Sequence, residues 1–217
     1  MIKIYILALT LGLNLLSISA TAQSDTRPTK IQLETGVSSS NMRIVYPVRH
    51  TTYKFRGTPL TKMNVGAYFN IPWGKTSSWR PGLQYFVGGT NLFQNGFYRE
   101  YFLLKYIRMH QDVSFKLWQG RRQANVFFDI GPYFGYLVDG VFTYNGGRVV
   151  GHKGLSQAFD RIDYGGMMSL GYMFGNGLYL RTTYGHGAHN VLYKKNNPGI
   201  TSLRHTRNWT FNFGLQF

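Results

Sequence analysis

Asn208-Trp209-Thr210-Phe211-Asn212-Phe213-Gly214-Leu215-Gln216-Phe217 carries a large apolar side chain at every odd position and a polar residue or glycine at every even one. Successive side chains of a strand leave opposite faces of the backbone. This segment therefore has one apolar and one wet face. A soluble sheet and a sheet set in a bilayer both accommodate that pattern, so the rest of the chain has to distinguish them.

Seven further segments share the alternation. They are Ile31 to Val37, Met63 to Ile71, Trp79 to Val87, Tyr98 to Trp118, Val126 to Val138, Asp163 to Phe174 and Leu178 to Gly185. The long fourth segment is regular from Asp112 onward and less so around Arg108-Met109-His110-Gln111, which predicts a bulge or kink there. Pro132 has no N–H to give a neighbouring strand and predicts a bulge or a local lapse in pairing. The connections alternate. Long ones run through Asn41 to Pro59, Gly88 to Gly96, Gly140 to Phe159 and Gly187 to Leu203. Short ones run through Lys75 to Ser78, Gln119 to Gln123 and Gly175-Asn176-Gly177, where glycine tolerates positive φ.

An even strand count with short turns at one end and long loops at the other is the pattern of bacterial outer-membrane barrels. A soluble eight-stranded barrel would turn its apolar face inward and expose a face rich in mixed charge. Here the non-apolar face is mostly Gly, Asn, Ser and Thr, and aromatics make up 17% of the chain, as interfacial girdles require. The expected fold is all-β: an eight-stranded antiparallel up-and-down transmembrane β-barrel over residues 31–217, closed by pairing the last strand with Ile31 to Val37.

Lys3, the apolar stretch Ile4 to Leu16 and Ala20-Thr21-Ala22 form a Sec signal peptide over residues 1–22, cut before Gln23. Residues 23–30 then form a periplasmic lead. No cysteine follows the cut, so no lipid anchor is expected. Export also sets aside nucleic acid as the partner of a chain with net charge +16; lipid phosphates and acidic glycans suit it better. A closing strand that ends on Phe217 resembles the signal read by the barrel-assembly machinery, with Trp209, Phe211, Phe213 and Phe217 as assembly signal and girdle.

Several stretches resemble the PorT-like outer-membrane β-barrel family of Bacteroidetes. They are Asp129-Ile130-Gly131-Pro132-Tyr133-Phe134-Gly135-Tyr136, then Phe159-Asp160-Arg161-Ile162-Asp163-Tyr164-Gly165-Gly166 with Leu170-Gly171-Tyr172, Tyr179 to Gly185, and Arg207 to Phe217. The resemblance covers the C-terminal half well and the N-terminal half loosely. It implies a small barrel, and the name-giving member is implied in type IX protein secretion. No residue here is diagnostic for that role.

The inward face carries Glu34, Arg80, Asp112, Lys116, Asp129, Asp163 and Arg181. An eight-stranded barrel is only wide enough for its own side chains, so these residues are expected to pair and plug the lumen; a narrow ion path is the alternative. Arg43, Arg49, Lys54, Arg56, Arg148, Lys153, Lys194, Lys195 and Arg204 fall in the outer loops and suit phosphate. His186 and His189 sit where the seventh strand ends, but Ser is absent from His186-Gly187-Ala188-His189-Asn190. A lipid A-modifying enzyme is therefore a third reading, and no metal or cofactor is expected. The sequence favours a non-enzymatic structural or interaction protein whose basic loops meet lipid A phosphate, a glycan or an envelope or secretion-complex protein.

Overall fold

The computed structural model describes residues 28–48, 51–94, 98–120, 124–144, 147–150, 160–189 and 203–217. For 43–48, 51–56, 92–94, 98–100, 142, 144, 147–150 and 203–205 the backbone path alone is described. The signal segment and Arg49, Lys153, Lys194 and Lys195 lie outside the described residues.

Ten strands follow one another: β1 (Lys30–Val48), β2 (Thr51–Arg56), β3 (Thr58–Pro72), β4 (Ser77–Gln94), β5 (Tyr98–Gln119), β6 (Asn125–Tyr144), β7 (Gly147–Val150), β8 (Ile162–Met173), β9 (Leu178–Gly187) and β10 (Leu203–Gln216). Eight of them form the wall in the order β10-β9-β8-β6-β5-β4-β3-β1, and β1 pairs with β10 to close it. The closing register runs from Gln32 opposite Gln216 through Val37 opposite Phe211. Ile31 and Phe217 exchange two backbone hydrogen bonds at the seam. The terminal strand therefore meets the expected segment, and no barrel edge is left open.

The strands are longer than the alternation indicated. Asn41 to Val48, Gly88 to Gln94 and Gly140 to Tyr144 continue β1, β4 and β6, and the short β2 and β7 pair with β1 and β6 inside segments read as loops. Above the lipid band neither face needs to be apolar, so the two-residue period disappears while the ladder continues. The opposite end has tight turns. In one, Phe174 N–H bonds to the Leu178 carbonyl and Gly177 adopts φ +86°, the conformation glycine is needed for.

No bulge or change of register occurs at Arg108 to Gln111; there the β5–β6 ladder only lapses, with Gln111 and Asp112 unpaired opposite Pro132 and Gly131, the local lapse in pairing expected at Pro132. Arg108, His110, Asp112 and Ser114 all face the lumen in unbroken alternation. The segment looked irregular because Gln111, a polar residue, occupies an outward position. Bulges fall instead between Lys105 and Tyr106 and between Lys116 and Trp118. The first matters for the interior. Tyr106 pairs with Leu137 while Lys105 pairs with Asp139, so β6 carries one extra residue there. The parity of β6 flips, and Asp139, inward by its odd number, instead lies half-exposed against Lys105.

The apolar side chains face outward. Met63, Val65, Leu83, Leu117, Leu170 and Phe211 are each more than half exposed, whereas the buried set is dominated by polar and charged residues. Trp73, Trp118 and Phe217 ring the end with the short turns, and Tyr136, Tyr164 and Trp209 ring the other, giving two aromatic girdles. On β10, Trp209 and Phe217 are girdle residues, while Phe211 and Phe213 lie between them in the hydrocarbon-facing band.

Candidate functional site: the lumen network and the outer rim

Charged inward residues on six strands converge on two stacked clusters. In the lower one Arg80 of β4 and Arg181 of β9 face Glu34 of β1, Asp112 of β5 and Asp129 of β6. Arg80 Nη2 lies 3.3 Å from Glu34 Oε2 and its Nη1 3.0 Å from Asp129 Oδ2 and 3.8 Å from Asp112 Oδ2. Arg181 Nη1 lies 3.5 Å from Asp129 Oδ2 and 4.0 Å from Asp112 Oδ2, and its Nη2 pairs with Glu34 Oε1. Glu34 also accepts from Tyr179 Oη at 3.2 Å and Asn212 Nδ2 at 2.9 Å. Gln32 accepts from Arg80 Nε. The Arg80 guanidinium stacks 4.0 Å from the Tyr68 ring centroid. All five charged side chains are at most 2% exposed.

The upper cluster holds Asp163 of β8 and Arg108 of β5, 3.2 Å apart. Tyr133 Oη and Thr206 Oγ1 each donate to Asp163 Oδ2 at 3.3 Å. The Arg108 guanidinium is sandwiched by aromatics, 3.5 Å from the Phe86 centroid and 4.5 Å from that of Tyr133, the geometry of a cation–π pair. Between the clusters His110 packs edge-on to Tyr68 and touches the Met167 sulfur at 2.8 Å. Above them Phe102, Leu104, Tyr106, Leu137 and Met42 fill the outer end as an ordinary apolar core.

Six of the seven expected lumen residues thus lie in these clusters, with Asp163 in the upper one. Lys116 does not join them. It is the last inward position before the bulge at β5's lower end, where it is exposed and its backbone N–H bonds to the Thr76 carbonyl. Arg108 and His110 were not expected. Their even numbering in phase with Asp112 was the available signal, hidden by Gln111. With both clusters filling the lumen, planar bilayers containing the purified protein are expected to stay silent; reproducible unitary openings would overturn the plugged reading.

At the outer rim a second group faces outward beside the aromatic girdle. His189 Nε2 lies 3.0 Å from Asp160 Oδ2, and its ring packs on Tyr164 at 5.1 Å between centroids. Arg161 Nη1 donates to Tyr136 Oη at 3.1 Å. On β10 Arg207 is exposed two residues above Trp209, which packs on Tyr184 at 5.0 Å. Among the basic loop residues, Arg43, Lys54, Arg56, Arg148 and Arg204 lie on backbone that extends β1, β2, β7 and β10 at the outer end. No group of three or more His, Cys, Asp or Glu able to hold a metal ion occurs among the described residues.

Comparison with solved structures finds the same architecture at very low identity. The outer membrane protein OprG of Pseudomonas aeruginosa superposes with a TM-score of 0.53 at 9% identity, over 88% of this chain and 97% of its own. The attachment invasion locus protein Ail of Yersinia pestis gives 0.47 at 9%, over 88% and 100%. Neisserial surface protein A gives 0.46 at 5%, over 88% and 100%. These likenesses concern the fold. A comparison with curated proteins finds no match. The model of the outer membrane protein beta-barrel domain matches residues 21–193, and the chain belongs to that family of outer-membrane β-barrels.

Proposed function

We propose that this protein is a non-enzymatic interaction barrel whose basic outer end binds the phosphate groups of outer-leaflet lipid. The observation that carries this reading is the filled lumen. Two charge clusters occupy the membrane-spanning interior and an apolar core caps them, so recognition falls to the outer surface. There Arg161 and Arg207 stand immediately above Tyr136, Tyr164 and Trp209. Aromatics at that depth set the interface, so the two guanidiniums meet the headgroup layer. Arginine forks match phosphate oxygens in pairs. Arg43, Lys54 and Arg56, on strands projecting beyond the bilayer, extend the positive surface outward. The PorT-like stretches support a placement within that branch, whose name-giving member is implied in type IX secretion; an accessory part there is the wider setting, for which no residue of this chain is diagnostic.

The test is lipid retention. Protein purified in mild detergent is expected to carry lipid A phosphate. Charge reversal of Arg161 and Arg207, or of Arg49, Lys54 and Arg56 together, should lower the co-purifying phosphate several-fold while the barrel stays folded. Retention unchanged in both variants would overturn the reading.

A further inference from the structure

Acids and bases are unevenly distributed around this barrel. Between Thr26 and Arg99 the one acid is Glu34, and from Tyr164 to Phe217 there is none. Glu34 is buried in the lumen. The strands β9, β10, β1, β2 and β3 therefore contribute no side-chain carboxylate to the outer surface. Elsewhere on the rim bases are answered by acids, Lys105 by Asp139 and His189 by Asp160.

Register sorts the bases of the acid-free sector into two rows. In the lower row Arg207 of β10 lies opposite His186 of β9, and both are exposed. It stands directly above the girdle pair Trp209 and Tyr184. In the upper row Arg43 of β1 lies opposite Arg56 of β2 on one side and His205 of β10 on the other. The neighbouring pair, Met42 and Thr206, is buried, so by alternation the upper row occupies positions of the outward face. His205 comes two residues above Arg207 on the same face of β10. Like charges directly opposite one another in an antiparallel pair are destabilising, and the row of Arg56, Arg43 and His205 contains no acid. An anion held across these strands converts that repulsion into attraction.

We infer that this sector docks one lipid through two separate phosphate groups, one on each row; the inference rests on the phosphate-binding reading above. The midpoint of Arg43 and Arg56 lies two residues up and two strand spacings across from the midpoint of Arg207 and His186, so about 12 Å separates the two positions. Two phosphates joined to each other span less than that. Phosphates at opposite ends of a two-sugar headgroup suit it. Below the rows the same strands present Val37, Phe211 and Phe213, each about half exposed, as a wall for the acyl chains. Arginine binds phosphate directly. With no carboxylate in the sector, no divalent cation is needed as a bridge.

Native mass spectrometry of the purified, delipidated barrel tests this, with titration by diphosphoryl or monophosphoryl lipid A in detergent and EDTA. The wild type is expected to bind one diphosphoryl lipid about tenfold more tightly than the monophosphoryl form, the increment of one charge-assisted contact. Arg43→Gln combined with Arg56→Gln should bring the two lipids to equal affinity. It should not lower the urea midpoint, since the two arginines repel without their anion. Lys105→Gln, in the ion-paired sector, should keep the preference. Equal binding of the two lipids by the wild type, a preference that survives in the double variant, or binding that appears only when a divalent cation replaces EDTA would each refute the docking face and leave phosphate binding intact. No binding of either lipid, with or without a divalent cation, would instead remove the phosphate-binding reading and this one with it.

Discussion

Glu34→Ala is expected to remove about 3–5 kcal/mol of the barrel's unfolding free energy, the range for breaking a buried ion pair by deleting one member. Glu34 is the acceptor on which the lower cluster converges: Arg80, Arg181, Tyr179 and Asn212 all donate to it. Alanine leaves two guanidiniums in a closed interior with Asp112 and Asp129 as their remaining anions, and leaves the tyrosine hydroxyl and the amide without their acceptor. Burial sets the size of the effect. The Lys105–Asp139 pair is also close, at 2.6 Å, yet its side chains are 32% and 43% exposed; water already solvates both, so Lys105→Ala should cost about 1 kcal/mol or less. Equilibrium urea unfolding in lipid vesicles, followed by tryptophan fluorescence, measures both variants. The cluster is not a stabilising keystone if Glu34→Ala falls within the scatter of Lys105→Ala. Glu34→Gln keeps two acceptor lone pairs and an isosteric fit, and belongs between them.

Much of this architecture can be read from residue parity. Wherever lipid lies on one side and a polar lumen on the other, the two physical environments impose a two-residue period, and the strand, its register partner and its inward set follow. Ile31 to Val37 against Phe211 to Phe217 is the clearest instance, and Glu34, Arg80, Asp112, Asp129 and Arg181 converge because each occupies an inward position at similar depth. Parity fails where one environment is missing or the ladder slips. Beyond the outer girdle both faces of β1, β2, β4 and β7 leave the lipid, so Asn41 to Val48 and Thr51 to Arg56 read as loop although they are paired backbone. A single extra residue near Val138 turns Asp139 out of the lumen, and the composition around it gives no warning. At Gln111 a polar residue stands in the lipid-facing phase. That single exception made β5 look irregular and concealed Arg108 and His110, two of the groups that fill the lumen. Which charged groups share a cluster is a further matter of depth: Asp163 pairs with Arg108 rather than Arg80 because it enters near the top of a short strand.

Gly131→Val is expected to cost more than any surface change and to stop most of the protein from reaching the heat-modifiable, folded state. The reason is steric, not conformational, since the positive φ among the described glycines belongs to Gly177. A Cβ at position 131 would lie 2.7 Å from the Asp112 Cα and 2.8 Å from Asp112 Oδ1, besides overlapping the Gln111 carbonyl. Two of these obstacles are backbone of the adjacent strand and cannot rotate away. Moving β5 aside would displace Asp112 from Arg80 and Arg181 and widen a wall whose closure at β1–β10 constrains every strand. Overpacking a core by a few atoms costs about 1–3 kcal/mol when side chains can adjust; with β5 backbone in the way the cost should lie at or above the top of that range. Gly166 supplies the control. It pairs with the next residue, Pro132, in the same row, yet its Cβ position is open, so Gly166→Ala should fold like the wild type. The comparison is made by gel shift and urea midpoint on variants refolded side by side. Equal folding yields for Gly131→Val and Gly166→Ala would show that β5 and β6 do not need the close approach that Gly131 permits.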